Sequence, residues 1–103
     1  MNKLLKAAKR WNIPLETALI VIGRDKKCIY CKCNFDDSIR SKKASWEHII
    51  NDIRLNQPDN IALCCVGCNA SKGSKTLEEW IISEKALMRG VSWIKPSIFI
   101  DSI

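Results

Sequence analysis

The stretch that decides the fold is Trp46-Glu-His-Ile-Ile50 together with Asn60-Ile-Ala-Leu-Cys-Cys65-Val-Gly-Cys68-Asn-Ala-Ser-Lys-Gly73. Its centre is His48, the only histidine of the chain, and Glu47 stands immediately before it. Asn60 follows His48 by twelve residues, and Asn69 comes nine residues later. A carboxylate, an imidazole and a carboxamide in this pattern indicate hydrolysis at a phosphate with the help of a hard divalent ion.

Two Cys-x-x-Cys pairs accompany this set, Cys28-Ile-Tyr-Cys31 before it and Cys65-Val-Gly-Cys68 within it. A two-residue spacing is typical of a zinc knuckle, a tight turn whose amides face the thiolates, and two knuckles complete a tetrahedral Cys₄ site. We therefore predict one structural zinc. Such an ion does no chemistry, because all four of its positions are filled. The predicted ligands are Cys28, Cys31, Cys65 and Cys68.

The two remaining cysteines need separate interpretations. Cys64 gives a three-residue spacing to Cys68, so Cys65 is the preferred ligand and Cys64 is predicted to be a small buried hydrophobic residue. Cys33 has no role that the sequence assigns. Six cysteines also fit a disulfide framework, but no secretory signal or membrane-spanning stretch is visible, and thiols stay reduced in the cytosol. We expect a cytoplasmic, bacterial or phage-encoded protein that binds zinc.

Composition and charge indicate a globular domain with a polyanionic partner. The 103 residues are 47% hydrophobic and 27% charged, and the net charge is +6. Residues 1–43 contain eleven Lys or Arg and four acids, a balance of +7, whereas residues 44–103 have a balance of −1. A basic half fits nucleic acid, although a solvated surface explains the same charge. The length predicts one domain, 1–103.

Periodicity and end signals place the elements around this centre. Residues 3–11 and 14–22 read as helices, the first with Leu4, Ala8 and Trp11 on one apolar stripe. Short strands are predicted over 45–50 and 61–64, separated by a loop, with a helix from about Cys65 to Gly73. Thr76-Leu-Glu-Glu79 matches a capping box for a helix that runs to Gly90. That helix is predicted to turn its apolar residues toward the core, and these are Leu77, Trp80, Ile81, Leu87 and Met88.

The whole pattern resembles the HNH endonuclease family with flanking zinc knuckles. The resemblance covers residues 28–73, between N-terminal helices (1–23) and a C-terminal helix and tail (76–103). It implies an α+β fold with a ββα-metal, treble-clef-like core stapled by one Cys₄ zinc. It also implies a metal-dependent endonuclease that hydrolyses phosphodiester bonds of DNA, double-stranded in the simplest case.

The same resemblance implies a role for each residue. His48 is the general base, since an imidazole exchanges protons near neutral pH. Glu47 and Asn69 bind catalytic Mg²⁺ or Mn²⁺, and Asn60 pins the loop between the strands and so orients His48. Two departures stand out: Glu47 replaces the more usual aspartate, and Asn69 stands where a final histidine is common. The predicted nucleic-acid contacts are Lys72, Arg54, Arg40, Lys42 and Lys43.

Two other functions remain open. A zinc-stapled nucleic-acid-binding module with a decayed catalytic site needs the same cysteines and the same basic face, but not Glu47, His48 and Asn69 together. An interaction domain, or a homodimer, would use the apolar C-terminal tail with Ile98, Phe99, Ile100 and Ile103. Packing of that tail on the domain is the preferred interpretation of its composition.

Overall fold

The computed structural model describes residues 2–92, and its sheet has two antiparallel strands, β1 (Ala44–His48) and β2 (Ile61–Cys65). Ala44 pairs with Cys65 and His48 with Ile61. Five helices accompany the sheet, so the predicted α+β class is confirmed in this coarse form. The helices are α1 (Asn2–Arg10), α2 (Leu15–Arg24), α3 (Val66–Lys72), α4 (Leu77–Ile81) and α5 (Glu84–Met88), and a 3₁₀ turn covers Arg40–Lys42.

The sheet separates two apolar clusters. Because successive side chains of a strand point to opposite faces, Ile61 and Leu63 of β2 face one cluster while Cys64 faces the other. The first cluster holds α1 and α2 against the sheet, through Ala8, Ala18, Val21 and Trp46. The second surrounds the cysteine pairs, with Tyr30 and Trp80 in edge-to-face contact at 4.9 Å between ring centroids.

The end of α1 differs from its prediction. Trp11 follows the last turn and is 52% exposed, so it does not continue the apolar stripe of Leu4 and Ala8. The reason is local: Asn12 has φ of 59°, a left-handed conformation that asparagine tolerates and that ends the helix. The chain turns there, and Ile13 takes the buried position.

The outer edge of β2 is bonded along its length to the segment that follows α2. The Arg24 guanidinium donates to the carbonyl of Ile61 at 2.7 Å, and the Asp25 carboxylate accepts from the Leu63 amide at 3.0 Å. Arg24 and Asp25 also form an ion pair of 2.7 Å. The Ile29 amide then donates to the Leu63 carbonyl at 3.1 Å. This segment therefore fixes the first cysteine pair beside the strand.

The predicted helix from Thr76 to Gly90 is two helices. Ser83 ends the first and caps the second: its hydroxyl donates to the Trp80 carbonyl at 2.6 Å and accepts from the Ala86 amide at 3.2 Å. Such local side-chain bonds compete with a continuous helix. The break turns Leu87 and Met88 outward, 66% and 86% exposed, so their predicted core positions are wrong.

The apolar tail with Ile98, Phe99, Ile100 and Ile103 lies outside the described residues, and its predicted packing or dimer role stays a prediction. Within residues 2–92, every helix is too short or too polar to cross a bilayer.

The capping box at α4 is confirmed, and it supplies a stability test. The Thr76 hydroxyl accepts from the Glu79 amide at 3.1 Å, and the Glu79 carboxylate accepts from the Thr76 amide at 3.0 Å. We expect Thr76→Ala to lower the free energy of unfolding by about 1 kcal/mol in urea denaturation. Ser74→Ala, an exposed neighbour outside the box, is the matched control; an equal loss in both variants would remove the cap as the cause.

The hydrogen bonds from Thr76 hold the pKa of Glu79 below its usual value, the backbone amide contributing most. A carboxylate whose pKa is lowered by folding stabilises the fold above its unfolded pKa, and this contribution disappears as the pH falls through the folded pKa. The difference in the free energy of unfolding between Thr76→Ala and wild type should therefore become smaller in acid.

Candidate functional site

The structure brings the four predicted ligand cysteines together. The sulfur atoms of Cys28, Cys31, Cys65 and Cys68 all lie within 4.8 Å of one another. The Cys31 and Cys65 sulfurs are 3.8 Å apart, which matches the edge of a tetrahedron with Zn–S bonds of about 2.3 Å. The four residues are thus positioned to hold a metal ion, and the arrangement is compatible with a structural zinc.

Backbone amides support these sulfurs as a knuckle requires. The Cys28 sulfur accepts from the amides of Tyr30 and Cys31, each at 3.4 Å, and the Cys65 sulfur accepts from the amide of Cys68 at 3.4 Å. The contact between the Cys65 sulfur and the Cys68 amide is also the N-cap of α3. The first helix turn after β2 and the cysteine cluster are therefore one structural unit.

Arg89 is a residue of this site that the sequence did not reveal. Its guanidinium donates to the Cys68 sulfur at 3.3 Å and to the Cys65 sulfur at 3.6 Å. It lies so close to Gly67 that a Cβ there would stand 2.3 Å from Nη2. A side chain at Gly67 would displace the guanidinium from this position, because the cation passes over the second knuckle. No spacing rule relates Arg89 to the cysteines, so only the folded chain shows the contact.

The cluster favours the ionised form of some of its thiols. A hydrogen bond from the Cys68 thiol is the largest influence that lowers the pKa of Cys28, to about 4. The same bond raises the pKa of Cys68, since that thiol is the donor. The hydrogen bond to the Cys68 sulfur is the largest influence that raises the pKa of the Arg89 guanidinium. Buried thiolates of this kind are what a soft cation neutralises.

The other two cysteines lie beside the cluster without joining it. Cys64 is fully buried, and burial raises the pKa of its thiol, so the prediction of a small buried hydrophobic residue is confirmed. Cys33 is half-buried against the same cluster, and burial raises the pKa of its thiol to about 12. Both therefore stay protonated near neutral pH.

A cavity of about 230 Å³ opens at the end of β1. It is bordered by three of the predicted catalytic residues, Glu47, His48 and Asn69. Glu47 and His48 point to opposite faces of the strand, yet both border the cavity because the strand ends at His48. Further lining residues, which the sequence did not single out, are Trp11, Trp46, Asn51, Asp52 and Ile53.

The orientation of the His48 ring is set by Asn56. The ring Nε2 is 2.7 Å from the Asn56 side-chain oxygen. The Asn56 amide nitrogen donates to two carbonyls, those of Asn12 at 3.2 Å and Ile53 at 3.0 Å, which fixes its orientation. An amide oxygen only accepts, so Nε2 carries the proton and Nδ1 keeps the lone pair. In the sequence, Asn56 lies in the predicted loop between the two strands, and nothing local distinguishes it from the other loop residues.

Asn60 pins the loop between the strands, as predicted. Its side-chain oxygen accepts from the Ile50 amide at 2.8 Å, and its nitrogen donates to the carbonyls of Ile50 at 3.2 Å and Leu55 at 3.0 Å. Asn60 itself is buried and is not a lining residue of the cavity. Its influence on His48 is indirect, because it holds the loop that carries Asn56.

Glu47 and Lys72 form a buried ion pair. Lys72 Nζ lies 3.0 Å from Glu47 Oε2 and also donates to the Asn51 side chain at 3.0 Å. The Tyr30 hydroxyl donates to the same Glu47 oxygen at 2.6 Å. Lys72 is only 1% exposed, so its ammonium is directed inward, and the predicted phosphate contact is corrected to this ion pair. Its position one helical turn after Asn69 did not reveal which way it points.

The donor atoms at the cavity suit a hard cation. Both contacts of the Glu47 carboxylate use Oε2, which leaves Oε1 for an ion. The Asn69 amide nitrogen donates to the Ser45 hydroxyl at 3.1 Å and the Trp46 carbonyl at 3.2 Å, which leaves its oxygen as the acceptor. Two oxygens beside an imidazole fit Mg²⁺ or Mn²⁺. The ammonium of Lys72 counts against this fit, since it already neutralises the carboxylate.

The remaining predicted nucleic-acid contacts are all exposed. Arg40, Lys42 and Lys43 lie in and beside the 3₁₀ turn. Arg54 pairs with Asp52 at 2.8 Å, and this hydrogen-bonded guanidinium lowers the pKa of the Asp52 carboxyl to about 2. Asp52 thus stays charged at the mouth of the cavity.

Comparison with known proteins adds no relative: no family model, curated protein or solved structure matches this chain. The function is therefore argued from the site alone.

The buried pair gives a test that does not depend on function. Lys72→Met leaves the Glu47 charge buried without its ammonium, so we expect the free energy of unfolding to fall by about 3 kcal/mol. Lys75→Met, an exposed lysine of the same segment, should change it by less than about 0.5 kcal/mol. Urea denaturation of both variants measures the difference.

A double variant separates the lost pair from a general packing defect. Glu47→Gln combined with Lys72→Met removes both charges, and it should recover part of the loss because no unpaired buried charge remains. A double variant as unstable as the sum of the single ones would contradict the ion pair.

Proposed function

We propose that this chain is a metal-dependent DNA endonuclease of the HNH type, with a Cys₄ zinc staple and a ββα-metal arrangement of β1, β2 and α3. The observation that carries the proposal is the convergence of Glu47, His48 and Asn69 on one cavity. The contact with Asn56 fixes the tautomer of the His48 imidazole. Any one of these residues alone would be ordinary. Their arrangement provides a base and two oxygen donors within one small space.

His48 acts as the general base through Nδ1. Asn56 holds the proton on Nε2, so Nδ1 is the nitrogen that takes a proton from a water molecule in the cavity. Asn60 keeps the loop in place. The Trp11 and His48 rings are in edge-to-face contact, with their centroids 6.4 Å apart. These contacts leave the ring little freedom, which favours attack in one direction.

Glu47 and Asn69 are the residues that would hold Mg²⁺ or Mn²⁺. When bound, such an ion polarises the phosphate and stabilises the charge that develops on the leaving oxygen. Lys72 and Tyr30 hold the Glu47 carboxylate by its Oε2 atom. The geometry of the carboxylate therefore does not depend on the ion.

The Cys₄ cluster is the proposed structural zinc site. It lies at the junction of β2 and α3, and Asn69 follows its last ligand directly. A closed tetrahedral site fixes this junction without taking part in hydrolysis. Zinc thus positions one side of the cavity.

The basic 3₁₀ turn is the proposed contact with the DNA backbone. Arg40, Lys42 and Lys43 are exposed there, and Arg54 is exposed at the cavity mouth. Phosphate contacts by lysine and arginine supply affinity without sequence selectivity. Duplex DNA is the proposed substrate.

The second candidate, a nucleic-acid-binding module without catalysis, is favoured by one observation. The Lys72 ammonium lies 3.0 Å from the Glu47 carboxylate and neutralises the charge that an ion would need. In that case the zinc staple and the basic surface would still serve binding.

The metal assignment predicts one zinc ion per chain. Cys65→Ser should lose the metal and unfold, because zinc binding is part of the folding free energy of a small domain. Cys64→Ala is the matched control at the neighbouring buried thiol, and it should keep the metal. Elemental analysis together with circular dichroism measures both. Loss of zinc from Cys64→Ala with retention in Cys65→Ser would reverse the ligand assignment.

The nuclease assignment predicts cleavage of supercoiled plasmid with Mg²⁺ or Mn²⁺. His48→Ala should reduce the rate by about 10²–10⁴-fold, the usual contribution of a positioned base. Asn56→Leu should reduce it by less, since the base remains and only its tautomer is released. Lys75→Ala should leave the rate unchanged.

Full activity in purified His48→Ala would contradict the role of His48. Wild-type protein that binds DNA but cuts nothing with either metal would instead favour the binding module.

A further inference from the structure

Trp11 is an exposed aromatic side chain whose ring contact within the described residues is the edge-to-face contact with His48, at 6.4 Å between ring centroids. The other described tryptophans are buried and bonded: Trp46 donates to the Leu4 carbonyl at 2.8 Å, and Trp80 donates to the Ser71 hydroxyl at 2.9 Å. Trp11 is 52% exposed, and its indole makes no hydrogen bond with any residue of the described range.

The backbone that carries this ring is firmly held. The Trp11 amide donates to the carbonyls of Ala7 and Ala8, each at 3.1 Å, and the next carbonyl, that of Asn12, accepts from Asn56. Asn56 is the residue that orients His48. The indole is therefore an exposed group on a rigid support, coupled to the proposed catalytic base.

Trp11 stands at the boundary of two cavities. One is the cavity of about 230 Å³ that contains His48, and the other is a groove of about 320 Å³ that continues from it. Both are bordered by Trp11, Trp46 and Asn69. The groove has the volume of a small ligand pocket. The shared lining residues place the groove next to the His48 cavity, with the indole between them.

The charges along the groove suit a phosphate backbone. Lys3 and Lys43 border it, with Asp37 as the one acid among its lining residues. Both lysines are exposed, so their ammonium groups are available to a ligand. A flat aromatic surface between lysines is the combination by which proteins bind unpaired nucleotides, the ring stacking on a base and the cations contacting phosphates.

We propose that this groove, named here the Trp11 groove, binds an unpaired nucleotide next to the phosphate in the His48 cavity, with its base stacked on the indole. The inference deepens the proposed function, on which it rests for the position of the cut phosphate. It narrows the proposed duplex substrate to one class: duplex DNA with a single-stranded segment or an extruded base beside the cleavage position. Fully paired duplex cannot present a base face to the ring.

Binding, measured without cleavage, tests the groove. Fluorescence anisotropy compares a labelled single-stranded oligodeoxynucleotide with the blunt duplex of the same sequence, in buffer without added divalent metal. Trp11→Leu should weaken single-strand binding by about tenfold, since base stacking contributes about 1–3 kcal/mol. Duplex binding should change less than twofold. Trp11→Tyr keeps an aromatic face and should retain most of the affinity, while Leu19→Ala, an exposed apolar residue of α2, is the control.

Two charge-reversal variants on α1 test the same groove without changing the tryptophan. Lys3→Glu and Lys9→Glu make the same change on one helix, but only Lys3 borders the groove. Lys3→Glu should weaken single-strand binding several-fold more than Lys9→Glu. Equal affinities of Lys3→Glu and Lys9→Glu for the single strand would overturn the proposal. An equal loss of single-strand and duplex binding in Trp11→Leu would overturn it as well.

The two hypotheses fail separately. If wild type cuts plasmid while Trp11→Leu binds the single strand normally, the groove is wrong and the nuclease stands. If wild type cuts nothing but shows the Trp11-dependent preference, the groove stands and catalysis does not.

Discussion

The structure depends on the approach of four sulfur atoms that come from two distant parts of the chain. Thiolates within 4.8 Å repel one another strongly when buried. Amide hydrogens and the Arg89 guanidinium offset part of this repulsion, and a cation at the centre would remove the rest. The position of α3 follows from this cluster, because Cys65 caps that helix with its sulfur. The position of Asn69 in α3, directly after Cys68, therefore follows from the cysteine cluster.

The buried Glu47 is subject to two opposing requirements, one from its place in the core and one from its proposed role as a cation ligand. As part of the core it needs a compensating charge, which Lys72 and the Tyr30 hydroxyl supply. As a cation ligand it should keep its negative charge for the cavity. The two contacts at Oε2 are compatible with both, since they hold the carboxylate by one oxygen while the second oxygen stays available. The longer side chain of glutamate, compared with aspartate, gives the carboxylate the reach to touch the core and the cavity at once.

Short-range chemistry explains what could be predicted from the sequence. The knuckle spacing and the capping box at Thr76 depend on residues that are close along the chain, whereas the pinning role of Asn60 was implied by the family resemblance. The choice of Cys65 over Cys64 also depends on short-range spacing. Asn56, Arg89 and the direction of Lys72 do not, because their partners are eight, twenty-one and twenty-five residues away in sequence. Such contacts exist only after the sheet and α3 have packed, and no periodicity encodes them. The break at Ser83 was missed for a related reason: a serine inside an apolar helical pattern gives no sign of whether its hydroxyl will bond to the backbone.

A two-stranded sheet normally offers an open edge to other chains, and β2, with five consecutive buried residues, is the kind of strand that aggregates. Here the side chains of Arg24 and Asp25 and the amide of Ile29 occupy its backbone groups, in place of a third strand. The guanidinium and the carboxylate give this edge a charged cover that no incoming strand can match in register. Resistance to amyloid-like assembly is thus built into the segment that also delivers the first cysteine pair. A chain that had not yet closed the cysteine cluster would expose its most adhesive strand.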